Sequence, residues 1–225
     1  MISRRKLIKR LASLPVLGGL AGSSTLLAET LPSTTATVAK RDLIKELGLR
    51  TFINAAGNYT SMTASLMPPE VMETINLASK KYVLLNDVQD RVGEKIAGLC
   101  HAEGAMVTAG CWSALVLGMA GVLTGKDSKK AAQLPFLEGT GMKSEVILQK
   151  SHANGYHHAL TNTGVKLIMI ETKQELEAAI NEKTAMMLFL NREAPVGQIK
   201  HEEWIAIAKK HGIPTMNDIA ADVPP

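Results

Sequence analysis

The chain has 225 residues, of which 46% are hydrophobic and 20% charged, and this composition excludes wholesale disorder. Two cysteines are too few to hold a chain of this length as a disulfide scaffold. The formal net charge is +4, but residues 1–28 hold five basic residues and no acid, which leaves −1 for residues 29–225. A nearly neutral body argues against tight nucleic-acid binding.

The first 28 residues have the pattern of an export signal. Arg4 and Arg5 follow Ser3 and precede an apolar stretch over 11–21 that is interrupted by proline and glycine. That stretch is shorter than the roughly 20 residues of a membrane span, and the paired arginines resemble a twin-arginine signal. We expect transient contact with the twin-arginine translocon and a periplasmic location, with a membrane tether if the signal stays uncleaved. The alternative is a basic amphipathic N-terminus of a cytoplasmic protein.

Residues 29–40 are rich in threonine and serine and are predicted to be a tether, and 41–225 are predicted to fold. Apolar periodicity then alternates between helical and extended patterns. In chain order it predicts a helix opening at 68–70, a helix over 87–99, a strand over 105–108, a helix over 113–123, a surface excursion over 126–144, and strands over 146–148 and 166–170. A helix over 174–181, a strand over 185–190, a helix over 202–210 and a strand over 213–217 follow.

This alternation predicts an α/β fold. Continuous apolar strands are buried on both faces, which is typical of a mostly parallel sheet with flanking helices. Ligands of such sheets bind beyond the carboxyl ends of the strands. We therefore expect functional residues at 109–113, 151–155, 191–195 and 218–221.

Three of these segments carry candidate binding residues, each with a structural alternative. The turn from Gly110 to Ser113 exposes backbone N–H groups at a helix start, which suits one phosphate monoester, although small residues there also serve packing. Asp218 could hold a cationic ring nitrogen or cap a helix. His152 could stack on an aromatic ligand or relay a proton as a catalytic residue, or it could lie solvated in a loop. Cys100, His101 and Glu103 do not have zinc-ligand spacing, and no metal is expected.

A phosphate turn, an aromatic stacker and a carboxylate, in that order, describe a pyridoxal phosphate pocket. Four stretches carry a resemblance to a known family: Asn54-Ala55-Ala56-Gly57-Asn58-Tyr59-Thr60, the run from Ser65 to Val71, Gln149-Lys150-Ser151-His152, and the run from Gly212 to Pro225. The chain resembles the fold type I enzymes grouped with bacterial selenocysteine synthase (L-seryl-tRNA selenium transferase), and more closely the D-glucosaminate-6-phosphate ammonia-lyase-like members.

The resemblance implies the large domain of a pyridoxal 5'-phosphate-dependent enzyme with a small-molecule amine substrate, working as a homodimer or larger homo-oligomer. By that resemblance Gly110, Cys111 and Trp112 supply phosphate-binding amides, and Ser113 adds a hydroxyl. The remaining cofactor residues are then His152 on the ring face, Asp218 at the ring nitrogen and Ala220 on the opposite face.

The chain departs from the family at the Schiff-base lysine, which members carry in a Ser-Gly-Gly-Lys-like turn after the aspartate strand. No lysine of this chain stands in that context, so we expect an N-terminal, truncated and inactive part of a longer enzyme. For the full-length form the resemblance favours a lyase that eliminates ammonia or water from an amino acid or amino-sugar acid. A selenocysteine synthase-like transferase and an exported non-catalytic phosphate-ligand binder are the alternatives.

The export prediction is tested by the double variant Arg4→Lys, Arg5→Lys. We expect the variant to accumulate in the cytoplasm while the unaltered chain reaches the periplasm, because twin-arginine recognition needs both guanidinium groups. Fractionation of cells that carry either form gives the readout. A matched Lys6→Arg, Lys9→Arg variant should still be exported, and continued export of the arginine variant would show that the signal is of another kind.

Overall fold

The computed structural model describes residues 41–220 and 222, so the predicted export signal (1–28) and the predicted tether (29–40) lie outside the described residues. The chain divides into two units between Ile53 and Asn54. In the first unit the described part holds α1 (Leu43–Glu46), whose start is capped by Asp42, since its carboxylate accepts the Lys45 N–H at 3.1 Å. All other elements belong to the second unit.

The second unit is built on a four-stranded parallel sheet in the order β2-β1-β3-β4. Its strands are β1 (Glu145–Gln149), β2 (Lys166–Ile170), β3 (Thr184–Leu190) and β4 (Thr215–Asp218). The register pairs the last residue of β1 with the last of β2, and the last of β3 with the last of β4. The carboxyl ends are therefore level, and the predicted α/β class with a parallel sheet is confirmed.

Seven helices follow α1 among the described residues. They are α2 (Pro69–Ala78), α3 (Leu85–Cys100), α4 (Cys111–Thr124), α5 (Ser128–Gln133), α6 (His158–Thr161), α7 (Lys173–Ala179) and α8 (His201–Lys210). The predicted glycine stop of α8 is confirmed, because Gly212 takes a positive φ of 62° directly after the C-cap. In the part of the chain that the structure covers, no helix has both the length and the apolar character for a membrane crossing.

The core lies on both faces of the sheet. On one face Leu115 and Met119 of α4 pack against Val146, Leu148 and Met186, all buried. Alternation along β1 and β3 sends the intervening side chains to the other face, because successive strand residues point to opposite sides. That second cluster contains Ile147, Met187, Phe189, Trp204 and Ile207. Fully burying one such large side chain contributes about 1.5–3 kcal/mol.

The prediction of a strand over 105–108 is wrong. This segment runs extended but belongs to no ladder of the described sheet. Helix α3 passes close beneath it, and the Gln89 amide donates to the Val107 carbonyl at 3.1 Å, so a helix side chain takes the place of a neighbouring strand. A left-handed residue, His101 with φ 51°, ends α3 and directs the chain into this path.

The surface excursion predicted over 126–144 has more structure than its composition suggests. It contains α5, whose start is capped by Asp127, and it buries Leu137 in the α4 side of the core. The charged residues of the segment hid this anchor, since one buried leucine produces no periodic pattern.

Two glycines of α3 predict opposite effects on stability. A Cβ at buried Gly93 would lie 2.4 Å from the Ala105 carbonyl oxygen, whereas a Cβ at exposed Gly98 meets nothing within 4 Å. Gly93→Ala should therefore lower the free energy of unfolding by about 1–3 kcal/mol through overpacking. Gly98→Ala should raise it by up to about 1 kcal/mol, because alanine is the better helix former.

Urea denaturation of the two variants and the unaltered chain measures both changes. Gly98→Ala is the matched control for the substitution itself. If Gly93→Ala were as stable as Gly98→Ala, the close approach of residues 105–107 to α3 would be incorrect.

Candidate functional site

A cavity of about 730 Å³ opens at the carboxyl edge of the sheet. This volume falls within the roughly 300–1,000 Å³ of small-molecule sites. The wall comes from the start of α4, from the loops after β1, β3 and β4, and from the segment around the 3₁₀ turn Thr60–Met62. The lining residues are Asn58, Tyr59, Ser61, Ala109, Gly110, Cys111, Trp112, Leu115, Asn154, Tyr156, Leu190, Arg192, Glu193, Asp218 and Ala220.

The start of α4 presents its backbone to this cavity without a side-chain cap. Gly110 is the N-cap residue, with φ 91° and ψ 169°, a conformation that favours glycine. No side chain accepts from the first-turn N–H groups, so these donors and the positive end of the helix dipole remain available for an anion. Ser113, whose hydroxyl was predicted to contact the phosphate, is not among the lining residues, and its hydroxyl donates to the Ala109 carbonyl at 3.4 Å.

Asp218 ends β4 with its carboxylate buried at the cavity wall, at 8% exposure. One oxygen, Oδ1, accepts the Ala220 N–H at 2.9 Å and the Cys111 thiol at 3.5 Å. Partial desolvation of the thiol, followed by the charge of Asp218 and this hydrogen bond, raises the pKa of Cys111 to about 11. Cys111 is therefore a neutral donor to Asp218 at physiological pH.

Trp112 is fixed by a hydrogen-bonded histidine. Its indole N–H donates to His158 Nε2 at 3.0 Å, and His158 Nδ1 lies within hydrogen-bond distance of the Gly155 carbonyl. Neutral His158 with its proton on Nδ1 satisfies both contacts. The pair therefore joins the start of α4 to the loop that carries Asn154 and Tyr156.

These contacts place the start of α4 across the sheet edge. Cys111 reaches the end of β4, while Trp112 reaches the segment that follows β1. Strand β3 lies between β1 and β4 in the sheet. The residues that follow β3 consequently form the floor of the cavity beneath the helix end.

The structure brings five of the predicted residues together, since Gly110, Cys111, Trp112, Asp218 and Ala220 all line the cavity. His152 does not belong to that lining. It lies behind the wall at 2% exposure, where its Nδ1 accepts the Leu190 N–H at 3.1 Å and its ring meets Phe189 edge-on, with centroids 4.5 Å apart.

The same burial sets the charge state of His152. Desolvation lowers the pKa of the imidazole, and the Glu193 carboxylate opposes this shift in part. The Gln149 amide lies 3.2 Å from Nε2, and the space beside that atom depends on Gly197, where an added Cβ would lie 2.6 Å from it. The stacking role of His152 stays a prediction.

Sequence reasoning assigned no role to Arg192, Glu193, Tyr156 or His158, all of which lie at the cavity or hold its wall. The segment 191–195 was expected to be useful because it follows a strand, and that position was the available signal for Arg192. Nothing in the pattern of residues 156–158 indicated a bond to Trp112. Among the described residues no group of three or more histidine, cysteine, aspartate or glutamate side chains could hold a metal ion.

Comparison with known proteins gives relatives but no match to a protein-family model. D-Glucosaminate-6-phosphate ammonia lyase of Salmonella typhimurium (strain 14028s / SGSC 2262) is 27% identical over 192 residues, which are 80% of this chain and 52% of that protein. A 5'-C-glycyluridine monooxygenase-decarboxylase of a Streptomyces species is 20% identical over 191 residues, 79% of this chain and 47% of that protein.

A solved structure of D-glucosaminate-6-phosphate ammonia-lyase shares the fold. It superposes with a TM-score of 0.75 at 26% identity, over 81% of this chain and 52% of that chain. The chain spans about half the length of the curated relatives it matches. These matches agree with the resemblance carried by the motifs: over about four fifths of its length the chain is similar in sequence and in fold to D-glucosaminate-6-phosphate ammonia lyase.

Proposed function

We propose that the protein serves a pyridoxal phosphate-dependent reaction that eliminates ammonia or water from an amino acid or amino-sugar acid. One observation supports this above the others. An uncapped helix start and a buried carboxylate meet in one cavity, with Cys111 Sγ 3.5 Å from Asp218 Oδ1. A helix start attracts a phosphate, and a buried carboxylate attracts a cationic ring nitrogen.

The residues present fit this cofactor. The first-turn N–H groups of α4 would bind the phosphate ester, and Gly110, with no Cβ, lets the ester approach the backbone. Asp218 would face the ring nitrogen from the end of β4. Cys111 would have to release its hydrogen bond to Asp218 or keep it on the side away from the ring.

When bound, pyridoxal phosphate supplies a protonated pyridine ring that accepts electrons from the substrate carbon. Asp218 would hold the proton on that ring nitrogen, because an anion in a partly desolvated wall favours the charged form of its partner. The Ala220 N–H fixes the orientation of the carboxylate through its 2.9 Å bond. The methyl group of Ala220, which lines the cavity, would pack on one face of the ring.

The opposite face of the ring is assigned to His152 by resemblance alone. To lie against a ligand, the imidazole would have to turn from its contacts with Leu190 and Phe189. Tyr59, Trp112 and Tyr156 are the aromatic side chains that already line the cavity. We propose His152 as the stacking group, with these three as the alternatives that substitution distinguishes.

The choice of elimination rests on the relatives. The chain is 27% identical to an ammonia lyase and 20% identical to a monooxygenase-decarboxylase, so the nearer likeness favours loss of ammonia. A net charge of −1 over residues 29–225 favours a small amine over a tRNA substrate. Assembly as a homo-oligomer and export to the periplasm remain part of the proposal.

Cofactor binding can be measured without turnover. In a Trp204→Phe background Trp112 is the single tryptophan, and it lines the cavity. Pyridoxine 5'-phosphate, which has no aldehyde to react with lysines, should quench Trp112 fluorescence saturably. Pyridoxine without the phosphate should bind at least about 10-fold more weakly, and so should the phosphate ester to Asp218→Asn, because each change removes one charged contact worth about 1.4 kcal/mol or more.

Glu138→Gln is the matched control, since it makes the same carboxylate-to-amide change at an exposed position outside the cavity. It should bind the phosphate ester as the parent does. Equal affinity for pyridoxine and its phosphate would remove α4 as the anion site. Unchanged binding by Asp218→Asn would remove Asp218 from the ring nitrogen.

Cys111 reports the charge of Asp218 directly. In a Cys100→Ser background the alkylation rate of Cys111 by iodoacetamide should rise with pH around a pKa of about 11. Asp218→Asn should shift that profile to lower pH, because loss of the negative charge makes the thiolate easier to form. A parent profile centred near the usual value of about 8.5 would show that the thiol neither is buried nor faces the carboxylate.

A further inference from the structure

Arg192 is the single lysine or arginine among the residues that line the cavity, and the proposed cofactor contacts leave it unused. We propose that Arg192 binds the anionic group of the substrate. This inference rests on the proposed function, because it assigns the part of the cavity that the cofactor does not use. The first observation is position: Arg192 comes two residues after β3, in the 3₁₀ turn Asn191–Glu193.

That turn lies on the floor beneath the start of α4, since β3 runs between the two strands that the helix start touches through Cys111 and Trp112. The phosphate of the cofactor and its ring nitrogen are assigned to α4 and to Asp218. The residues that follow β3 therefore face the volume where a substrate would lie.

The N–H groups of the Arg192 guanidinium have no acceptor among the described residues. Its Nε lies 3.9 Å from the Glu193 carboxylate, which is beyond hydrogen-bond distance, and the described residues accept no hydrogen bond from it. Lys200, in contrast, donates to the carbonyls of Ala194, Pro195 and Gly197 at 2.8–3.2 Å and so closes the same loop. Of these two cations, Lys200 stabilises the loop and Arg192 extends from it with its side chain 61% exposed.

A guanidinium suits an oxyanion because its parallel N–H groups match two oxygens of a carboxylate or phosphate. Beside Arg192 the cavity is lined by one carboxylate, Glu193, and by uncharged side chains that carry amides or hydroxyls, which are Asn58, Tyr59, Ser61, Asn154 and Tyr156. Hydroxyls and amides favour a hydroxylated substrate over an apolar one. The lining therefore suits a hydroxylated substrate that bears a carboxylate or a phosphate.

The experiment uses probes that have no amine and so cannot react. D-Gluconate carries a carboxylate, D-glucitol 6-phosphate carries a phosphate, and D-glucitol is the uncharged counterpart of both. Each is titrated by calorimetry into the whole chain, with and without saturating pyridoxine 5'-phosphate. The variants are Arg192→Ala, Arg192→Lys, and the control Arg91→Ala, which removes an exposed arginine paired with Glu94 on α3.

We expect at least one anionic probe to bind the unaltered chain and Arg91→Ala alike, with glucitol at least about 10-fold weaker. Arg192→Ala should bind that anion at least about 10-fold more weakly, and Arg192→Lys should fall between, because it keeps the charge and loses the fork. Which anion binds identifies the group that Arg192 takes.

Binding that is unchanged in Arg192→Ala, glucitol binding as tight as that of the anions, or no binding of either anion to the unaltered chain would each overturn the proposal. The cofactor measurement is separate. If pyridoxine 5'-phosphate fails to bind while an anion binds through Arg192, the cofactor assignment fails and the anion subsite stands. If pyridoxine 5'-phosphate binds and Arg192 has no effect, the reverse holds.

Discussion

The first turn of α4 is held across the carboxyl edge of the sheet by two side-chain contacts, and the candidate site depends on both. Cys111 donates its thiol proton to Asp218 at the end of β4, and Trp112 donates its indole proton to His158 after β1. Each contact joins residues that are far apart in sequence. Together they aim an uncapped helix start, with its unpaired N–H groups, at the same space as a buried carboxylate.

The sheet makes that arrangement possible because packed side chains cover both of its faces. With β3 buried along its whole length, the chain can expose polar groups only where the strands end. Two buried side chains hold the segment that follows β3. The Gln149 side chain accepts the Ile199 N–H at 2.8 Å and donates to the Ile199 carbonyl at 3.0 Å, and His152 accepts the Leu190 N–H. Gly197 leaves the space that these two buried side chains fill.

Sequence periodicity predicted the parallel sheet and most of its helices, since strands such as 185–190 and helices such as 202–210 each carry a clear apolar pattern. It failed at 105–108, where three apolar residues and a threonine have no strand beside them in the described sheet and the Gln89 side chain satisfies the Val107 carbonyl. A short apolar run cannot reveal whether its neighbour is a strand or a helix. That depends on long-range packing.

The site was predictable to the extent that function follows strand ends. Gly110, Cys111, Trp112, Asp218 and Ala220 were found by that rule and by resemblance, and they do share a cavity. The rule gives positions along the chain and no orientation of side chains. It could not place the His152 ring behind the wall, nor pair Trp112 with His158, because both outcomes depend on which hydrogen-bond partners the folded loops supply.

The charges that line the cavity restrict the ligands that it can bind. A phosphate at α4 and an anionic substrate would repel each other in one small volume, so two separate positive centres are needed. The helix end would be one such centre and Arg192, in the turn after β3 and beside Glu193, would be the other, while a ring cation would match Asp218. Local placement of these groups, rather than the small net charge of the folded part, decides which ligands the cavity can hold.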